Sequence, residues 1–261
     1  MIEVNPAIRP DESLNTFYRG RIHVLQRKSG FRFSVDAPLL ADFIQTKNTD
    51  EIIELGTGCG IISLLLSVKP FRHIVALEIQ SAMADLARRN VMLNNLEGRV
   101  TIIQKDFRQY QPYRKFDIIF SNPPYIRKNS GFLSPSEEKN IAKHEIYCTL
   151  EEILTWTKNW LKETGSAYFI FPYNRREEFE EEVKKQELKI KSCRSVYPRE
   201  SEPPNFFLVR CNFEAESQEV LPPLILLGPD GRYTPEAEEI FTGRQRKFKE
   251  INWDNIADIE Y

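Results

Sequence analysis

Five short runs of nearly continuous apolar residues punctuate the chain: EIIEL (51–55), HIVALE (73–78), VTIIQ (100–104), FDIIFS (116–121) and SAYFIFP (166–172). Their length and their aliphatic and aromatic content predict β-strands. Between them the period changes. IISLLLSV continues from the first run as a helix, and SAMADLARRNVMLNN follows the second with Met83, Leu86, Ala87 and Val91 on one face. LEEILTWTKNWL (150–161) is a further helix with Gly165 as its stop signal. The charged NRREEFEEEVKKQE is another, its acidic run facing solvent, and KIKSCRSVYP and NFFLVRCNF form a last pair of strands. Upstream, residues 1–16 are polar and predicted to fray. YRGRIHVLQRKSGFRF (18–33) predicts a basic β-hairpin turning at Lys28-Ser29-Gly30, and DAPLLADFI (36–44) a short helix with Pro38 in its first turn. Strands alternating with helices predict an α/β fold with a doubly wound, mostly parallel sheet of seven strands. Residues 1–35 then form a basic extension, 36–243 the α/β domain and 244–261 a loose tail.

Composition narrows the classes of function. With 261 residues, 41% hydrophobic and 28% charged, the chain is of ordinary globular type. Its formal net charge is −2, so any nucleic-acid surface must be a local patch. There is no signal-peptide run at the N-terminus and no stretch able to span a bilayer, which predicts a cytoplasmic protein. Cys59, Cys148, Cys193 and Cys211 form no CxxC pair, which argues against zinc or a disulfide framework. Reduced thiols and no metal are expected.

The first predicted strand ends in Glu54-Leu55-Gly56-Thr57-Gly58-Cys59-Gly60. Alternate glycines let the chain turn sharply and let a ligand approach the backbone. A dinucleotide fingerprint needs G-x-G-x-x-G, and here Ile61 stands where its third glycine belongs. Glu54 would repel a pyrophosphate and suits the ammonium group of an amino acid. Glu78, 18 residues beyond Gly60, ends the second strand, where a carboxylate can accept both hydroxyls of a ribose. Asp106-Phe107 follows the third strand, the acid suited to an adenine amino group and the ring to stacking. Any one of these acids alone is best read as a solvated strand end. Three at the carboxyl ends of successive strands fall where open α/β sheets bind ligands. Cys59 has no neighbour in sequence to lower its pKa and reads as a loop filler.

After the fourth strand comes Asn122-Pro123-Pro124-Tyr125, 66 residues beyond Gly56. By itself the tetrapeptide is a rigid turn. In that position its Asn122 side-chain oxygen and Pro123 carbonyl can accept both hydrogens of a conjugated NH2 group. This frees the nitrogen lone pair for attack on a methyl sulfonium. The prolines stiffen the acceptors, and Tyr125 can stack on a base, worth roughly 1–3 kcal/mol.

ELGTGCG, Glu78, KDF and NPPY together resemble the class I amino-methyltransferases. FRFSVDAPLLADF and YTPEAEEIF are similar to the bacterial tRNA adenine-N6 methyltransferases that act on the valine tRNA anticodon loop, and the likeness covers most of residues 17–243. The resemblance implies a Rossmann-like fold, S-adenosylmethionine as cofactor, and methylation of adenine N6 in tRNA. Cofactor contacts would come from Glu54, Gly56, Gly58, Gly60, Glu78, Asp106 and Phe107, and catalysis from Asn122, Pro123, Pro124 and Tyr125. The segment matching Phe33–Pro38 closes over the cofactor in that family, so Ser34 and Asp36 become candidate contacts; helix capping is the alternative for Asp36. Arg127 and Lys128 fall in a plausible substrate loop. With Arg27 and Lys28 of the hairpin, which also holds Arg19, Arg21 and Arg32, they would flank the entrance for an RNA substrate. The lone His144 is read as structural. A glutamine-amide methyltransferase and a non-enzymatic module on the same fold are the competing classes. Only some 35 residues precede the core, and they are basic rather than helical, against the former; the intact motif argues against the latter.

Overall fold

The computed structural model describes residues 8–28, 35–123 and 148–243. The expected tail 244–261, residues 29–34 and the segment 124–147 with Pro124, Tyr125, Arg127, Lys128 and His144 lie outside these. The central sheet contains β3 (Glu51–Leu55), β4 (His73–Glu78), β5 (Val100–Gln104), β6 (Phe116–Ser121), β7 (Leu161–Pro172), β8 (Lys189–Tyr197) and β9 (Phe206–Asn212). These are the seven expected strands. Two-residue strands β10 (Glu219–Val220) and β11 (Leu224–Ile225), too short to show a period, extend the edge beside β8. The order is β10-β8-β9-β7-β6-β3-β4-β5. Strands β3 to β7 pair in parallel, and β9 runs antiparallel between β7 and β8.

Neighbouring residues on a strand point to opposite faces, and here both faces are covered. Ile52, Ile74, Ile118, Phe120 and Ile170 pack beneath α1 (Asp36–Phe43), α2 (Ile61–Leu66), α3 (Ser81–Leu93) and α6 (Pro235–Thr242). Ile53, Leu77, Ile119, Phe169 and Val209 pack beneath α4 (Leu150–Trp160) and α5 (Arg176–Lys185). That double burial is why the strands read as unbroken apolar runs. Among the described residues no helix is long and apolar enough to cross a membrane.

Gly165 corrects one expectation. The chain passes from α4 straight into β7, and Gly165 lies within that strand instead of stopping the helix. A β-carbon there would sit 2.8 Å from Leu161 Cδ1 and 2.9 Å from the Asp117 carbonyl oxygen, so the glycine permits a close approach of β6 and β7.

A hairpin is present with its turn upstream of the expected one; of the expected turn Lys28-Ser29-Gly30, only Lys28 lies among the described residues. It pairs β1 (Glu12–Phe17) with β2 (Ile22–Arg27), so residues 12–16 are strand rather than frayed. The turn is Tyr18-Arg19-Gly20-Arg21, and Lys28 lies past the end of the second strand. Tyr18 and Arg19 adopt left-handed φ values of 50° and 58°, a cost of about 1–2 kcal/mol per residue. Packing outweighs it: the Tyr18 ring is buried against Gly243, where a β-carbon would lie 2.9 Å from it.

Two asparagines one turn apart, Asn90 on α3 and Asn94 capping its C-terminus, hold β2 as a neighbouring strand would. Asn90 Oδ1 accepts from Leu25 N at 2.7 Å, and its Nδ2 donates to the carbonyls of Leu25 and Cys59 at 3.0 and 2.9 Å. Asn94 does the same for His23, at 2.8 and 2.7 Å. A nearly buried ion pair of Arg89 with Glu12 secures the other strand; the Arg89 hydrogen bonds hold the Glu12 carboxyl below its usual range. Asn90 is fully buried, so removing it strands three backbone groups without partners. Asn90→Ala is expected to cost roughly 3–5 kcal/mol in urea unfolding, with faster hydrogen exchange at the Leu25 amide. A loss below about 1 kcal/mol would mean that water replaces the side chain.

Candidate active site

Pairing of β3 with β6, Glu54 opposite Phe120, sets the glycine turn beside the residues that follow β6. Buried Ser121 seals the junction, its Oγ donating to the Leu55 carbonyl at 2.8 Å. The order of strands reverses at β3, and open α/β sheets form their ligand crevice at the carboxyl ends beside such a reversal. Gly56, Gly58 and Gly60 all adopt left-handed φ values, +76°, +58° and +87°. A β-carbon on Gly56 would meet nothing within 4 Å, whereas one on Gly60 would lie 3.5 Å from Ala87 on α3. The turn therefore needs glycine at Gly56 for its backbone conformation, and it leaves space above that residue.

Glu54 lies inside the turn, 1% exposed. Its Oε2 accepts from Thr57 Oγ1 at 2.6 Å and Ser63 Oγ at 2.5 Å. Burial raises its pKa to about 7 against those hydrogen bonds, and the charge of Glu78 adds to the rise. Glu78 closes the turn from the next strand: Oε2 accepts from Gly58 N at 2.8 Å and Oε1 from Gln80 N at 2.9 Å. Burial raises its pKa as well. Two buried carboxylates, both with their pKa raised by burial, lie beside one turn, an arrangement suited to a cation and hostile to phosphate.

Asp106 caps the short helix Phe107–Gln109 through Arg108 N at 2.9 Å, and the Arg108 guanidinium covers both its oxygens. Burial works to raise the Asp106 pKa, but the Arg108 contacts outweigh it and hold the acid below its usual range. Phe107 is buried, edge-on to Trp156 with centroids 6.4 Å apart, so its ring serves the core under α4. Cys59 is buried and its thiol pushed up to about 12 by burial, in keeping with a filler.

Asn122 and Pro123 emerge from β6. Asn122 Nδ2 donates to Asp36 Oδ2 at 2.9 Å, and Asp36 Oδ1 accepts from Ala37 N at 3.0 Å. Asp36 thus reaches beyond its own helix to the Asn-Pro motif. The far end of α1 is fixed by Lys69 Nζ, which donates to the carbonyls of Ala41, Asp42 and Ile44. The hairpin divides the expected basic cluster. Arg27 and Lys28 are exposed at the end of β2 that leads toward Asp36. Arg19 and Arg21 sit on the opposite turn, a strand length of roughly 20 Å away.

Sequence reasoning did not find Ser63, Thr57, Ser121, Asn90 or Arg108. The readable signal for Ser63 was one hydroxyl in an otherwise apolar helix; for Asn90 and Asn94, two amides four residues apart on a helix with a buried face.

A sheet of this order, with one antiparallel strand near its end, a glycine turn after the first central strand and an Asn-Pro after the fourth, defines a class I methyltransferase. A family model described as "Methyltransferase small domain" matches residues 32–187, and the chain belongs to that family. Curated relatives include a tRNA1(Val) (adenine(37)-N6)-methyltransferase of Aliivibrio fischeri, 30% identical over 72% of this chain and 80% of that protein. One of the same name from Bacteroides thetaiotaomicron is 32% identical over 56% of this chain and 61% of that one. Among solved structures, a predicted O-methyltransferase from Agrobacterium tumefaciens superposes with a TM-score of 0.62 at 18% identity, covering 80% and 96% of the two chains.

The raised Glu54 pKa has a definite sign in stability. Folding strengthens proton binding, so the contribution is complete below the ordinary value of 4.5 and lost as pH rises through about 7. Between pH 5 and 8 the unliganded protein is expected to lose stability relative to Glu54→Gln, by up to about 3 kcal/mol. Urea midpoints that run parallel in the two proteins across that range would refute it.

Proposed function

We propose that the protein methylates the exocyclic N6 of an adenine in the anticodon loop of a tRNA, using S-adenosylmethionine. What carries this reading is the Asn122-Pro123 pair standing beside the glycine turn, its side-chain amide anchored at the donor end. The turn fits such a cofactor on its own chemistry: an open space over Gly56, two buried carboxylates, and the amides of Gly56, Thr57, Gly58 and Gly60 already bonded within the protein and so not offered to a phosphate. Glu78 would take the ribose hydroxyls. Glu54 would set the negative field under the cationic part while bracing the turn through Thr57 and Ser63. Asp106 would receive the adenine amino group once Arg108 yields part of its hold. When bound, the cofactor supplies a methyl group already activated on sulfur.

The chain's own part is to hold and polarise the amine. Asn122 Oδ1 and the Pro123 carbonyl accept its two hydrogens, which directs the nitrogen lone pair along one line. With both hydrogens held, the amine nitrogen would be aligned for the methyl group that the cofactor carries, and its surplus proton would leave to water. No strong base is needed. Tyr125 would stack on the base, with Arg127 and Lys128 beyond it. An anticodon-loop base is unpaired, so its entry costs less than extrusion from a duplex. The relatives named for tRNA1(Val) adenine-37 support this substrate.

The direct test is mass spectrometry of nucleosides from unmodified tRNA incubated with the protein and labelled cofactor: labelled N6-methyladenosine is expected. Asn122→Ala should cut turnover at least tenfold, roughly 1.4 kcal/mol of barrier, with cofactor affinity nearly intact. Full activity in that variant would end the case for amine polarisation.

For the RNA surface, Arg27→Glu with Lys28→Glu is expected to raise KM for tRNA at least fivefold. It should also flatten the log–log salt slope by about 2. Arg19→Glu with Arg21→Glu, on the remote turn, should stay within twofold of wild type. Equal effects from the two pairs would show that the hairpin acts only through its overall charge.

A further inference from the structure

The side chain of Asp36 lies 86 residues from Asn122 in sequence and within hydrogen-bond distance of it in space. We propose that Asp36 is a positioning residue: its carboxylate fixes which end of the Asn122 amide faces the amine. The inference rests on the amine-methylating reading of this site and adds to it a residue that acts through Asn122.

An asparagine amide has nearly the same shape when its oxygen and nitrogen are exchanged, so sterics alone select its orientation poorly. Polarising an amine requires the oxygen; the NH2 end would meet it donor to donor. An ionised carboxylate is acceptor-only. With Nδ2 at 2.9 Å from Asp36 Oδ2, a flip would set Oδ1 against the carboxylate, losing a charge-assisted bond and adding repulsion. Asp36 is 7% exposed, so water screens this preference little. The carboxylate is itself held, by Ala37 N at 3.0 Å, in the first turn of α1 where the helix dipole favours an anion. A carboxylate that only capped its helix would have no call on Asn122. The same negative charge draws the amide toward its N⁺=C–O⁻ form, which makes Oδ1 a stronger acceptor as the amine nitrogen becomes positive.

The test uses the full chain with tRNA and four variants: Asp36→Asn, Asn122→Asp, the two combined, and Asn122→Ala. Asp36→Asn keeps the shape and should lower kcat at least tenfold. Its KM for tRNA, melting temperature and calorimetric affinity for S-adenosylhomocysteine should stay close to wild type. Asn122→Asp sets two carboxylates face to face and should fall further. The double variant restores one donor and one acceptor with their places exchanged, and should recover at least tenfold over Asn122→Asp. A purely structural role predicts no such recovery, and its absence overturns the proposal. So does an Asp36→Asn protein that keeps its kcat while losing product affinity, since Asp36 would then be a cofactor contact. The Asn122 NH2 resonances in 15N spectra, recognised by their disappearance in Asn122→Ala, should shift in Asp36→Asn without any substrate. Unshifted resonances overturn the positioning role. Shifted resonances in a protein that leaves tRNA unmethylated support it and overturn the substrate reading alone.

Discussion

Pairing of β3 with β6 places two loops distant in sequence at one point on the sheet edge, and every feature of the site is arranged around that point. The strands meet because Ile52 and Ile53 and their partners Ile118 and Ile119 are buried on both faces of the sheet. A parallel pair of this kind exists only within a sheet covered by helices on both sides. The core is therefore what holds the glycine turn and Asn122-Pro123 in register. Ser121, bonded to the Leu55 carbonyl, converts strand pairing into a fixed distance between the loops.

Around that junction the molecule places buried carboxylates, Glu54 and Glu78, that form no ion pair among the described residues. Glu54 and Glu78 hold hydroxyls and backbone amides, and burial makes both reluctant to ionise. Such groups are destabilising without a ligand, and a cation settling on the turn would relieve them. Asp36 follows a related logic with a different outcome, since its charge orients a neighbouring amide.

The hairpin is coupled to this centre by amides rather than by apolar packing alone. Asn90 ties Leu25 of the hairpin and Cys59 of the glycine turn to one side chain. Two of its hydrogen bonds go to Leu25 and one to Cys59. The hairpin and the glycine turn thus share a support on α3.

The sequence by itself determined the seven strands, their α/β class, the glycine turn and the placing of Asn122-Pro123 at a strand end. Those properties follow from local period and local sterics, which a linear reading contains. Tertiary structure decided the rest. The turn at Tyr18-Arg19 was not legible, because what offsets its two left-handed residues is the burial of the Tyr18 ring against Gly243, far away in sequence. Gly165 looked like a helix stop and serves a close approach of strands. Phe107 and Asp106 were legible as a pair at a strand end, but whether the ring faced a ligand or Trp156, and whether the acid was open or held by Arg108, depended on neighbours up to 49 residues away. Asp36 and Asn122, like Asn90 and Leu25, form hydrogen bonds whose partners carry no mark of each other in sequence. Hydrogen bonds act over about 3 Å, and only the folded chain sets which groups come that close.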